Sequence, residues 1–187
     1  MESKKIAVLV GSLRKESFSR KVAKTIITLS PDTLVLEIID LSRLQMFNQD
    51  LEESPPTEWT EFRNKLKTFD GVLFVTPEYN RSVPAVLKNA IDVGSRPSGQ
   101  SIWNGKPCAV VSNSPGLLGG FGANHHLRQS FVSLNIPTMQ QPEEYLGGVA
   151  KIFNEEGICT NETVLANLRF FTNSFADWVS KHTLEKR

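Results

Sequence analysis

Short apolar runs that alternate with stretches of helical spacing constrain this chain more than any other feature. The runs are Ile6-Ala-Val-Leu-Val10, Leu34-Val-Leu-Glu-Ile-Ile39, Gly71-Val-Leu-Phe-Val75, Cys108-Ala-Val-Val111 and Ile136-Pro-Thr-Met139. Near-continuous apolar strands are those buried on both faces, which happens in parallel sheets covered by helices. Between them, apolar side chains recur at steps of three and four. Phe18, Val22, Ile26 and Leu29 share one face of a helix predicted from about Ser19 to Leu29. Trp59, Phe62, Leu66 and Phe69 share a second, after the Pro55-Pro56 break. Pro84 suits the first turn of a third helix, because its missing N–H costs nothing there; Leu87, Ala90 and Ile91 would face the sheet. A fourth is predicted near Asn124–Leu134. A long last one carries Val164, Leu168, Phe171, Phe175 and Trp178.

This alternation predicts an α/β fold, a three-layer sandwich around a five-stranded parallel sheet. Right-handed crossovers leave few topologies, and the flavodoxin-like order 2-1-3-4-5 is the expected one. With 187 residues, and no internal repeat or linker, one domain over residues 1–187 is expected. The segment Gln140–Glu162 is long for a connection, a length that points to function or an interface.

A formal net charge of +1 excludes a protein dominated by nucleic-acid phosphate contacts. No run reaches the roughly 18–20 apolar residues of a membrane span. The opening Met-Glu-Ser-Lys-Lys lacks the layout of a secretory signal, so a cytoplasmic protein is expected. Cys108 and Cys159 form no CxxC pair and suggest neither zinc nor a disulfide framework. Cys108 reads as a small buried hydrophobe and Cys159 as a surface loop residue. Lys181–Arg187 reads as a solvated terminus.

Two loops follow the first and third strands, where this order places its switch point, and ligands bind there beyond the carboxyl ends of strands. The first, Gly11-Ser-Leu-Arg-Lys-Glu-Ser-Phe-Ser-Arg20, offers the hydroxyls of Ser12, Ser17 and Ser19 and the guanidinium fork of Arg14. Converging donors at a helix start suit a phosphate; Ser19 can also cap the helix, and Glu16 should point to solvent. An ordinary capped strand-to-helix loop is the bland alternative. Neither GxxxxGK[ST] nor GxGxxG is present, which disfavours triphosphate and tightly held dinucleotide ligands and leaves a mononucleotide. The second loop, Thr76-Pro-Glu-Tyr-Asn-Arg-Ser82, carries Pro77, Tyr79 and Asn80, groups that suit a flat heteroaromatic ring. Glu78 reads as a hydrogen-bonding loop residue.

These stretches make the chain resemble the NAD(P)H-dependent FMN reductase family, which includes bacterial chromate, quinone and azo-dye reductases. The likeness rests on Gly11-Ser-Leu-Arg14 with Ser17-Phe18, and on Thr76-Pro-Glu-Tyr-Asn80 continuing through Ser82-Val-Pro84 to Leu87-Lys-Asn-Ala-Ile-Asp92. Gly119-Gly120, His126-Leu-Arg-Gln129, Pro142-Glu143 and Gly147-Gly148 extend it in the same order. The resemblance implies FMN as cofactor and NADPH or NADH as co-substrate. Ser12, Arg14, Ser17, Phe18 and Ser19 would lie near the phosphate, and Pro77, Glu78, Tyr79 and Asn80 along the ring. Ser114, Pro115 and Gly116 would form a third wall. It further implies hydride transfer through flavin N5 to quinones, free flavin, azo compounds or metal oxyanions such as chromate. The scheme would be ping-pong, with no catalytic side chain.

The chain departs from similar sequences at Ser19, where Asn is frequent, and at Val93, where Trp is frequent; Arg81 stands at a variable position at the pocket mouth. Adjacent His125 and His126 point in different directions on a helix and suggest no metal site. With Arg128 and Glu143 they resemble the family's contact surface, which implies a homodimer or homotetramer; a solvated helix face is the alternative. Two rival functions are a flavodoxin-type electron carrier without substrate turnover and a flavin-free interaction module. Such carriers are markedly acidic, and 21 basic against 20 acidic residues speak against one here.

Overall fold

A computed structural model describes residues 3–184. In chain order it contains β1 (Lys4–Val10), α1 (Phe18–Leu29), β2 (Leu34–Ile39), α2 (Thr57–Lys67), β3 (Gly71–Pro77), α3 (Ala85–Gly94), β4 (Cys108–Asn113), α4 (Phe121–Ser133), β5 (Glu144–Leu146) and α5 (Glu162–Leu184). The sheet order is β2-β1-β3-β4-β5 and every pair is parallel. The expected architecture is therefore the observed one.

The three central strands are apolar for a simple reason: helices cover both of their faces. Ile6–Val10, Gly71–Thr76 and all of β4 are buried, whereas β2, at an edge, alternates. One face packs Leu9, Phe74 and Val110 against α2, α3 and α4, with Trp59, Leu66, Trp103 and Phe131 at its centre. The other packs Val8, Leu73 and Val111 against α1 and α5, through Val22, Ile26, Phe171 and Phe175. Trp103 is wholly buried, its indole N–H donates to the Ile91 carbonyl at 2.8 Å, and Gly94 lets the ring approach the end of α3. Val93 beside it is also fully buried.

Two expectations fail. The fifth strand is not Ile136–Met139: that segment makes a single parallel bridge at Thr138, opposite Cys108 at the start of β4. Pro137 has no N–H to donate, so a ladder cannot run through it. Pairing resumes at Glu144–Leu146 opposite Val111–Asn113, inside the stretch read as one long connection. Cys159 is buried, not exposed. Its loop closes on itself through Asn154 N–H to the Ile158 carbonyl and Thr160 N–H to the Ile152 carbonyl, which turns the thiol into the core shared with α1 and α5. Cys108 is buried as expected, and desolvation pushes its thiol up to about 12. Residues 185–187 of the terminus read as solvated lie outside the described residues. Among the described residues, no helix is long and apolar enough to cross a membrane.

Glu144 opens β5 almost entirely buried, and desolvation pushes its carboxyl up to about 7 from an ordinary 4.5. The folded state thus binds more protons than the unfolded chain between those values, so stability falls as pH rises through that window. Glu144→Gln should abolish the fall, which amounts to up to about 3 kcal/mol. Urea unfolding at pH 5 and pH 8 checks it; parallel losses in wild type and variant would contradict it.

Candidate functional site

Three strand ends meet at one edge. The Gly11 N–H donates to the Val75 carbonyl at 2.8 Å, closing β1 onto β3, and Pro77 lies opposite Asn113 in the β3–β4 register. The loops leaving these ends enclose a cleft lined by Ser12, Arg14, Ser17, Phe18, Ser19, Pro77, Glu78, Tyr79, Asn113, Ser114 and Pro115. Ten of the twelve residues singled out from the sequence line it. Asn80 and Gly116 do not line it themselves, although each adjoins a lining residue. Asn113 was not singled out.

At one end of the cleft the donors suit an anion. Ser17 is the N-cap of α1 and accepts from the Arg20 N–H at 3.2 Å, leaving its hydroxyl hydrogen for a ligand. Ser12 accepts from the Arg14 N–H at 3.4 Å, and the exposed Arg14 guanidinium makes no ion pair among the described residues. Ser19, the cap expected from the sequence, instead lies buried within the first turn, hydrogen-bonded to Asn113. Glu16 points outward, 80% exposed, and pairs with Lys21 at 3.3 Å. No carboxylate therefore competes with an anion at the start of α1, where the helix dipole adds to the attraction.

The other end is flat. Tyr79 and Ser82 exchange both backbone hydrogen bonds, at 3.1 and 2.9 Å, around Asn80 and Arg81, whose φ values of 50° and 63° define a turn of type I′ character. Two consecutive left-handed residues that are not glycine carry strain, on the order of 1–3 kcal/mol each, and must be held by their surroundings. The start of α4 holds them. Glu78 accepts from the Ala123 N–H at 3.2 Å and pairs with Arg81 at 3.4 Å. His126 Nδ1 lies 2.9 Å from Ser82 Oγ. Glu78 is thus the hydrogen-bonding loop residue its sequence context suggested. Tyr79 stays half exposed and available for stacking. Across from it, Ser114 is fixed by its N–H to Leu146 and by its carbonyl, which accepts from Val149.

The histidine and arginine side chains read as interface candidates are engaged within the chain. His125 Nε2 lies 3.0 Å from the Tyr145 hydroxyl, and Arg128 donates to Asn124 and to the Met139 carbonyl. Arg128 also stands 3.9 Å from Glu143. Burial, with the neighbouring Glu143 carboxylate, pushes the Tyr145 hydroxyl up to about 12. Among the described residues no group of His, Cys, Asp and Glu is arranged to hold a metal ion. A groove on the outer side of α1, lined by Arg20, Lys24, Thr28 and the 156–159 loop, is larger than the cleft, about 500 Å³ against about 160 Å³. It runs from the β1–α1 loop along the outer flank of α1, shares Ser17 alone with the lining of the cleft, and has no aromatic side chain for a ring. Position and chemistry outweigh size.

The chemistry of the cleft suits FMN: hydroxyls and a guanidinium would meet a phosphate, and a proline and a tyrosine would face a ring. The fit depends on how α4 seats the ring loop. A Cβ on Gly122 would stand 2.8 Å from the Arg81 carbonyl oxygen and 2.9 Å from Glu78 Oε2. Gly122→Ala should therefore displace the turn and raise the Kd for FMN by about tenfold, with riboflavin affected alike. Fluorescence titration of apoprotein measures both, and an unchanged Kd would contradict the coupling of α4 to the loop.

Comparison with known proteins gives the family. Residues 4–150 match the family model described as NADPH-dependent FMN reductase. The chain is 57% identical over 175 residues to a quinone reductase of Pseudomonas putida, covering 93% of this chain and 94% of that protein. It is 40% identical to a 2-hydroxy-1,4-benzoquinone reductase of Burkholderia sp., with 94% and 96% covered. Among solved structures it is similar to FerB, a flavoenzyme NAD(P)H:(acceptor) oxidoreductase from Paracoccus denitrificans, with a TM-score of 0.89, 37% identity and 96% and 98% coverage. The chain belongs to the NADPH-dependent FMN reductase family, enzymes with FMN as cofactor and a reduced nicotinamide nucleotide as electron source.

Proposed function

We propose that this chain reduces quinones with electrons from NADPH or NADH, the nucleotide and the quinone taking turns in the cleft described above. The observation that carries the reading is the meeting of anion donors and a flat wall at the switch point of the sheet, in a cleft open to solvent. FMN, when bound, supplies the chemistry: its N5 accepts hydride and passes it on.

The chain's own residues bind and orient. Ser12, Ser17 and Arg14 would hold the phosphate through two hydroxyls and a charge-assisted fork, with Phe18 and Ser19 beside them. Pro77, Glu78, Tyr79 and Asn80 would support one edge of the ring. Ser114 and Pro115 would form the facing wall, continued by Gly116 beyond the cleft's lining. No side chain needs to move a proton for hydride transfer, and Glu78 is committed to Ala123 and Arg81. An exposed ring face would admit flat acceptors such as free flavin and azo compounds, and a small oxyanion such as chromate would reach it as well, so all three belong to the same reading as further acceptors.

In the same reading residues 1–187 act as one domain in the cytoplasm, where reduced nicotinamide nucleotide is supplied. A second copy of the chain covers the apolar rim of Leu117, Leu118 and Phe121, which are 96%, 60% and 52% exposed. The polar cluster of His125, His126, Arg128 and Glu143 flanks that rim on α4 and the segment before β5.

Anaerobic mixing of the FMN-loaded protein with NADPH or NADH tests the function. Prompt bleaching of the flavin, reversed by a benzoquinone, is expected; a protein that bleaches only when a separate reductase is added would be an electron carrier instead. Arg14→Ala should raise the Kd for FMN at least tenfold, the scale of a lost hydrogen bond to a charged group. Hydride transfer in the flavin-saturated variant should stay within about twofold of wild type. Unchanged FMN affinity would refute the phosphate role of Arg14.

A further inference from the structure

Asn113 ends β4 at the floor of the cleft and is only 1% exposed. Its Nδ2 lies 3.1 Å from the Thr76 carbonyl and 3.0 Å from Ser19 Oγ, and its Oδ1 lies 3.2 Å from the same hydroxyl. The Thr76 carbonyl can only accept, which fixes the orientation of the amide: nitrogen toward Thr76 and Ser19. Both amide hydrogens then have partners, and one of those partners is the Ser19 oxygen. The Ser19 hydroxyl keeps one hydrogen of its own, free to rotate. Turned back, it donates to Oδ1 at 3.2 Å, a neutral acceptor on the amide that already donates to it. Turned outward, it points into the cleft that Ser12 and Ser17 also line.

We infer that Asn113 is a positioning residue for the cofactor phosphate: by donating to Ser19 Oγ it holds that hydroxyl as a donor toward an anionic oxygen in the cleft. A charged acceptor draws the hydrogen from the neutral Oδ1, because charge-assisted hydrogen bonds are roughly twice as strong as neutral ones. The amide also joins three elements that must agree in position, the strand end at Thr76, the first turn of α1 at Ser19 and its own β4. The inference rests on the FMN reading above.

A tie that merely stiffened the fold would affect every ligand of the cleft equally, so the comparison of FMN with riboflavin, which lacks the phosphate, separates the two roles. Apoprotein of wild type, Asn113→Ala, Ser19→Ala and the double variant is titrated with each, following quenching of flavin fluorescence. Each single variant should weaken FMN about tenfold and riboflavin less than about twofold. The double variant should be no worse than either single one, because the two side chains act as one donor. Ser19→Ala leaves the bond from Asn113 to Thr76 in place, so it carries the test even if Asn113→Ala folds poorly. Equal losses for FMN and riboflavin, or additive losses in the double variant, would overturn the assignment. A wild-type protein that takes up neither flavin would overturn the function reading itself.

Discussion

The register of the parallel sheet is the constraint on which the site depends. Because β1, β3 and β4 are buried on both faces, their backbone groups are consumed by neighbouring strands until the strands end. Only beyond those ends do backbone and side-chain donors become free to meet a ligand. Gly11 bonded to Val75, and Pro77 set opposite Asn113, bring three such ends level. A one-residue slip in any of them would turn the core residues of that strand to the opposite face. The cleft and the two apolar cores are therefore consequences of one pairing pattern.

Within that frame the two ends of the cleft are built by different means. The anion end is local: a strand end, a capped helix start and an arginine lie within a few residues of one another in the chain. The flat end is not. Its turn holds two non-glycine residues in the left-handed region and survives because α4, some forty residues later, reaches back with the Ala123 N–H and His126. Glu78, which looks like an acid available for chemistry, is a fastener between the two.

That difference explains what could be read from the residues alone. The sheet order was legible because apolar runs and helical spacing alternate so regularly. Ser12, Arg14, Ser17, Pro77 and Tyr79 were legible as cleft residues because they sit in the loops that leave the ends of such runs. The fifth strand was not, since Glu144–Leu146 is three residues long and has no apolar run, while Ile136–Met139 looks more like a strand but contains a proline. Burial of Cys159 depends on a loop that closes on itself, which polarity patterns do not report. Asn113 was passed over because an Asn after an apolar run reads as a loop residue. Its amide shows its value only when Thr76 and Ser19, distant in sequence, stand beside it. One retrospective signal existed: the strand continues to Asn113, and a polar residue inside a buried strand needs partners.

The most direct measurement is a crystal structure of the protein soaked with FMN. The account predicts the phosphate within hydrogen-bonding distance of Ser12, Ser17 and Arg14, and the ring between Tyr79 and the Ser114–Pro115 wall. FMN lodged instead in the groove along α1 beside Arg20 and Lys24, or a cleft closed by the Pro77–Asn80 side chains, would contradict it.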